Sequence, residues 1–376
     1  LYLYQSKENQ IMQLTGQENG GSAVWLDNET VLFQGKKESG KDAEGTAYYA
    51  LPVSGGEPSF YMRIPADVSW IHPLGGRRFA VLAKSYLPDS GAPIPSASLS
   101  STVKAKDEDY VAADEMPFRW DGIGIKNGMR SRCFVYDAGK RTLEPVSGEY
   151  QQVETISGKD GKVIYSARRF EKNFRYLDYY GVEVYDDHTG KREQLLDENT
   201  FRIYYTGFVG DRPAFAGTKG LLHGIQNENS SFYCWNGTSF EEFCHNERST
   251  DNTVGTDVRW SLGPLFDSDK GGIYYVGTEK GNAYLKSAGT DGTIRQLSRE
   301  EGTVDGFAVL ADRIFYVGMH DCGLQELYVL QQEKASRVSS LNQEILAQRT
   351  VSSPQRLLFT HAGYSMDGYV IKPVDY

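Results

Sequence analysis

The chain has no apolar run approaching the ~18 to 20 residues that a membrane-spanning helix needs, and its mean hydropathy is −0.50. It has only four cysteines and six histidines in 376 residues. The cysteines, Cys133, Cys234, Cys244 and Cys322, show neither CxxC spacing nor histidine partners at finger-like intervals, so no zinc site and no redox pair is indicated. Reduced, buried thiols and a cytoplasmic location are the expectation, although Cys234 and Cys244 could face each other across a hairpin. The histidines form no HExxH and no i, i+4 pair, so no metal site and no cofactor is expected. An excess of positive charge is also missing. At −10 net, the chain lacks the concentrated cationic surface that phosphate binding requires, and a nucleic-acid partner is excluded. The small basic clusters Lys36-Lys37, Arg77-Arg78 and Arg168-Arg169 read as solvated strand ends and loops.

Long Ala/Leu/Glu/Lys runs are absent too, whereas Gly (40) and Tyr (25) are abundant, a balance that favours strands and tight turns. A repeat is visible. Its clearest copy is GGIYYVGTEKGNAYLKSAGTDGTIRQLS at 271–298, where 273–276, 283–286 and 294–297 alternate around GTEKGN and AGTDG turns. The next copy predicts strands at 304–310, 314–317, 326–330 and 336–339. Earlier copies lie at 163–196, 213–244 and 23–58, and another opens at 68–85 and finishes at 133–147. The opening LYLYQSKENQIMQLT has the form of only the two outer strands of a further unit, whose inner strands would precede Leu1.

Repeats of ~40 to 50 residues with four short strands match β-propeller blades. The expected fold is therefore all-β: a seven-bladed propeller over 1–342, its first blade incomplete. A blade cannot bury both of its faces alone, so Tyr165, Tyr185, Tyr275, Phe315 and Tyr328 are expected to pack blade against blade.

Two segments leave the pattern. Residues 86–131 are rich in Pro, Ser and charge, a composition typical of long surface loops, which are often functional. Within them Phe118, Arg119, Trp120 and Asp121 are candidates for a surface that faces a cavity or a second domain. The last residues, 343–376, predict a helical turn or two, a strand at 356–360, a polar turn, and a strand at 368–372. This looks like the opening of another domain.

LLFTHAGYSMDGYVIKPVDY resembles the segment that leads from propeller to α/β-hydrolase domain in the prolyl oligopeptidase family, especially its acylaminoacyl-peptidase-like branch. Ser365, Asp367, Gly368, Tyr369, Val370, Lys372, Pro373 and Asp375 match the form of its S-x-DG…(W/Y)-V-x-K-P-x-D phrase, with compressed spacing. PFRWDGIG at 117–124 and FVYD at 134–137 resemble the blade insertion of that branch, and RQLS and MQLT its strand termini. The resemblance implies a non-catalytic propeller that gates access of small peptides, its partners being an α/β-hydrolase domain on the same polypeptide and peptide substrates. Homo-oligomers stay open.

The family's Ser-Asp-His chemistry needs a nucleophile on a GxSxG elbow, and no GxSxG occurs. GYSMDG at 363–368 comes nearest, but its second Gly is one position late and Asp367-Gly368 reads as a turn. Gly35 to Asp42 spells GxxxxGK but places Asp where a magnesium-binding hydroxyl is needed and a strand where a helix is needed, so a hairpin loop is expected. GIGIKNG at 122–128 misses GxGxxG by one residue. Two other classes remain: a free-standing propeller that binds protein or carbohydrate, and a propeller glycosidase. Against the latter, Asp257 and Asp305 sit in turn-like contexts, and AGTDGT lacks the Ser and Trp of the sialidase-type Asp box.

Overall fold

In a computed structural model the chain is built almost wholly of antiparallel strands, with one short helix, Gln343–Ala347, among the described residues. The structure describes residues 1–16, 22–35, 45–86, 116, 119–121, 124–125, 128–170 and 179–374. Two compact units are present: Leu1–Gly207 with Phe215–Glu228 and Gly237–Phe240, and Phe208–Ala214 with Asn229–Asn236 and Glu241–Tyr376.

In the first unit a hairpin, Tyr2–Gln5 with Gln10–Gln13, precedes two four-stranded meanders. One runs Ala23–Trp25, Thr30–Gln34, Thr46–Pro52 and Ser59–Ile64; the next runs Val68–Gly75, Arg78–Tyr86, Met129–Asp137 and Thr142–Pro145. A third begins with Gln151–Lys159, Lys162–Arg169 and Tyr180–Asp186, and continues into the long strand Lys191–Val209. The turns are set by backbone chemistry. Asp160-Gly161, between the paired Lys159 and Lys162, has both residues at positive φ, the two-residue hairpin geometry that matches strand twist.

Packing follows from the period of two. Along Arg78–Tyr86, Phe79, Val81 and Ala83 join a core with Leu32, Tyr48 and Met62 of the first meander. The alternate residues Ala80 and Leu82 point the other way, into a core with Val153, Val163 and Tyr165 of the third. Phe134 and Tyr136 against Cys133 and Val135 repeat the split on the neighbouring strand. A sheet buried on both faces between two others is the arrangement that radial stacking of blades requires.

The second unit carries two further meanders. Phe266–Asp269, Gly272–Glu279, Asn282–Gly289 and Ile294–Gln296 form one; Gly302–Leu310, Arg313–His320, Glu326–Gln331 and Lys334–Arg337 form the other. Their core joins Val276 and Leu285 to Val304, Phe307, Ile314 and Tyr316. After the helix, Gln355–His361 pairs with Tyr364–Val370 across an Ala362-Gly363 turn.

Several expectations are corrected. Tyr316, not Phe315, is the core residue of its strand, stacked on Tyr328 with ring centroids 5.0 Å apart. Asp367-Gly368 is not a turn: it lies within Tyr364–Val370, and Asp367 accepts from Arg356 Nε at 3.0 Å. The second hairpin strand therefore begins at Tyr364, four residues earlier than expected. Of the four thiols, all free, Cys322 is exposed. Residues 36–42, with their GxxxxGK near-match, lie outside the described residues; the strands flanking that segment pair antiparallel, as a hairpin requires.

Candidate functional site

The most organised polar cluster surrounds Asp305. The strand Gly302–Leu310 pairs with Arg313–His320 except for a register shift between Val304 and Gly306, which leaves Asp305 as the extra residue of a bulge. The bulge turns its carboxylate out of the ladder, and the side chain is only 1% exposed. A buried carboxylate needs several donors, and three side chains supply them, while a fourth group holds the Asp305 main chain. Arg259 places Nε 3.0 Å from Oδ1, with a terminal nitrogen at the same distance, while its other terminal nitrogen donates to the Val254 carbonyl at 2.9 Å. Asn252 Nδ2 donates to Oδ1 at 3.1 Å and to the Val304 carbonyl at 3.0 Å. Gln325 Nε2 donates to Oδ2 at 2.8 Å, and the Gly263 amide donates to the Asp305 carbonyl at 2.7 Å. A β-carbon on Gly306 would lie 2.7 Å from the Gly263 Cα, so this backbone approach requires glycine. The expectation that Asp305 sits in a turn is thus replaced: it is the anchor of loop 252–264.

That loop presents apolar side chains outward. Trp260 is 94% exposed, with Val258 and Leu262 exposed on either side. Its backbone is nonetheless held, because the Trp260 amide donates to Gln325 Oε1 at 2.9 Å and Gln325 Nε2 donates to the Ser261 carbonyl at 3.0 Å. A fixed backbone carrying an exposed indole is suited to contact, not to proton transfer. Asp267, on the strand Phe266–Asp269, is another partly buried carboxylate. Burial raises its pKa; the Val309 and Ser268 amides, at 2.9 and 2.8 Å, pull it back and Asp269 pushes it further up. The Val309 amide, on the strand Gly302–Leu310, makes it a bridge between strands.

Of the insertion candidates, Arg119 and Trp120 form a two-residue strand that pairs with Gly124–Ile125, and Arg119 and Asp121 are exposed. Phe118 and the Trp120 side chain lie outside the described residues. Where the insertion rejoins the sheet, Arg130 is buried with its guanidinium carbon 3.6 Å above the Phe170 ring. Arg168 is buried too, 2.5 Å from Glu154. The solvated-end reading of Arg168-Arg169 therefore holds only for Arg169: successive residues of a strand point to opposite faces. Arg78 is likewise paired, its Nε and a terminal nitrogen reaching Asp187 at 3.0 and 2.8 Å. The sequence held no signal for Asn252, Arg259 or Gln325. No group of His, Cys, Asp and Glu side chains fit to hold a metal ion occurs among the described residues, and no helix there is long and apolar enough to cross a membrane.

No protein-family profile matches the sequence, and no curated protein matches it. Solved structures do. An acylaminoacyl peptidase from Pyrococcus horikoshii matches at TM-score 0.70 and 15% identity, over 98% of this chain and 52% of that one. The β-propeller domain of the Trilobed protease from Pyrococcus furiosus matches at TM-score 0.54 and 13% identity, over 89% of this chain and 86% of that domain. A prolyl endopeptidase matches at TM-score 0.52 and 10% identity, over 93% and 45%. The chain spans about half the length of the acylaminoacyl peptidase. At these identities the likeness is one of fold alone: the chain is folded like the β-propeller domain of the Trilobed protease and like about half of the acylaminoacyl peptidase.

Proposed function

We propose that this chain is the non-catalytic propeller of a serine peptidase resembling acylaminoacyl peptidases, and that it gates the access of small peptides to an α/β-hydrolase domain on the same polypeptide. The supporting observation is the extent of the match: nearly all of this chain corresponds to about half of an acylaminoacyl peptidase. The 376 residues contain no GxSxG nucleophile elbow. In this reading residues 1–342 form seven blades, the first incomplete, and 343–376 are the linker and first strands of the hydrolase domain. The hairpin Gln355–Val370 is consistent with it, since one face carries Leu357, Phe359, Tyr364, Met366 and Val370, all exposed. Phe118, Arg119, Trp120 and Asp121 would face the catalytic domain or the substrate path, and free thiols throughout suit a reducing cytoplasm.

The test has two parts. The purified chain, given N-acyl peptide p-nitroanilides and chromogenic glycosides, should turn over neither; turnover of a sugar or of a peptide by this chain alone would overturn the proposal. The coding sequence beyond Tyr376 should continue to a GxSxG, and a stop codon directly after Tyr376 would also overturn it. In the longer protein, short peptides should be cleaved and folded proteins spared. Arg119→Ala there should raise KM about tenfold, equivalent to ~1.4 kcal/mol of lost binding.

A further inference from the structure

Gln325 and Glu326 are adjacent, yet they hold two different segments. The Gln325 side chain is used entirely on loop 252–264 and its anchor: it accepts from the Trp260 amide and donates to the Ser261 carbonyl and to Asp305. The Gln325 carbonyl, by contrast, accepts from Asn342 Nδ2 at 2.7 Å. Glu326, buried, accepts from the amides of Asn342 and Leu341 at 2.8 and 3.0 Å and from the Ser339 hydroxyl. These bonds fix the segment by which the chain leaves the last meander for the helix Gln343–Ala347, and the Asn342 carbonyl accepts from the Leu346 amide at 3.1 Å.

We propose that Gln325-Glu326 is a clamp coupling the Trp260 loop to the exit segment 339–347, so that the two order and release together. The physical basis is the sharing of one short piece of backbone. If the exit segment lets go, the Gln325 carbonyl and the Glu326 carboxylate lose their partners, and the peptide unit between them, at the end of the strand Glu326–Gln331, is left supported from the sheet side alone. The Gln325 amide can then no longer meet Trp260, Ser261 and Asp305 at once. The coupling is reciprocal, as linkage between two sites must be. A ligand that grips Trp260, Val258 or Leu262 would therefore be felt at the segment leading to the hairpin Gln355–Val370. The coupling does not depend on the peptidase reading.

Hydrogen–deuterium exchange on the full chain tests it. The Asn342 side-chain amide donates to the Gln325 carbonyl and to Glu326, on the clamp itself, so Asn342→Ala should speed exchange at the exit and also, about fivefold or more, at 252–264. In the opposite direction Arg259→Lys, which weakens only the loop's anchor, should speed exchange at 339–347. Amides of Thr30–Gln34 and Thr46–Pro52 in the first unit should not change in either variant. The proposal is overturned if each variant loosens only its own segment. If one variant unfolds globally, the first-unit amides will report it and the other variant decides.

Discussion

Two fully buried tyrosines on second strands of their meanders should respond to the same substitution with opposite signs. Tyr165 and Tyr275 are both 0% exposed, and removing the hydroxyl from either deletes one oxygen while leaving the ring packing in place. The Tyr165 hydroxyl donates to Glu183 Oε2 at 2.8 Å, a carboxylate that also receives Arg192 Nε at 3.2 Å. The Tyr275 hydroxyl has no hydrogen-bond partner among the described residues, although its ring lies 5.0 Å from Phe232 and 6.4 Å from Phe266. Burial holds both phenols above their ordinary value, so each is a neutral O–H at any working pH. Tyr165→Phe removes a hydrogen bond to a charged group and should destabilise by about 1.5–3 kcal/mol. Tyr275→Phe removes a desolvated, unpaired donor, whose burial costs about 1–3 kcal/mol, and should be neutral to stabilising by about that amount. Urea unfolding followed by far-UV circular dichroism, with m-values compared, reads the difference between the variants. The reasoning fails if Tyr275→Phe loses as much stability as Tyr165→Phe at unchanged m, because the hydroxyl would then have to be bonded.

Gly158→Ala would place a β-carbon 2.2 Å from Cδ2 of His72, which stacks on Trp70 at 5.8 Å; overpacking there should cost about 1–3 kcal/mol, seen as a lower Tm. Burial by itself would raise the Glu326 carboxyl, but the Ser339 hydroxyl and the Asn342 and Leu341 amides hold it below the usual carboxylate range. A carboxylate so depressed contributes stability above its unfolded pKa of about 4.3, and the contribution is lost as pH falls through the folded value. Glu326→Gln should therefore be less stable than wild type at pH 7, with the gap closing on acidification; a gap constant from pH 7 to 3 would refute this. Thiol titration should find one fast group, Cys322, while Cys133, pushed up to about 12 by burial, and Cys234 and Cys244, also raised, react only after denaturation.

Local alternation was enough to place many strands. The expected segments 273–276 and 283–286 lie within Gly272–Glu279 and Asn282–Gly289, because a period of two and the Lys280-Gly281 turn are properties of neighbouring residues. Where alternation is lost, so is the face: Ile314, Phe315, Tyr316 and Val317 are all apolar, and only pairing with the bulged strand Gly302–Leu310 decides that Tyr316 points inward. Two Asp-Gly pairs read as turns from local preference alone. Asp305-Gly306 is a bulge and Asp367-Gly368 is mid-strand, each stabilised by a partner that the local sequence does not show. For Asp305 those partners are Asn252, Arg259 and Gln325, which stand 53, 46 and 20 residues away. The sequence by itself determined an all-β chain of repeated meanders and where many of its strands and turns fall, since these depend on contacts within a few residues. Only the tertiary structure decided which carboxylate is an anchor, which arginine is buried and which loop holds Trp260 outward. Those outcomes depend on hydrogen bonds between distant segments, and no local pattern encodes them.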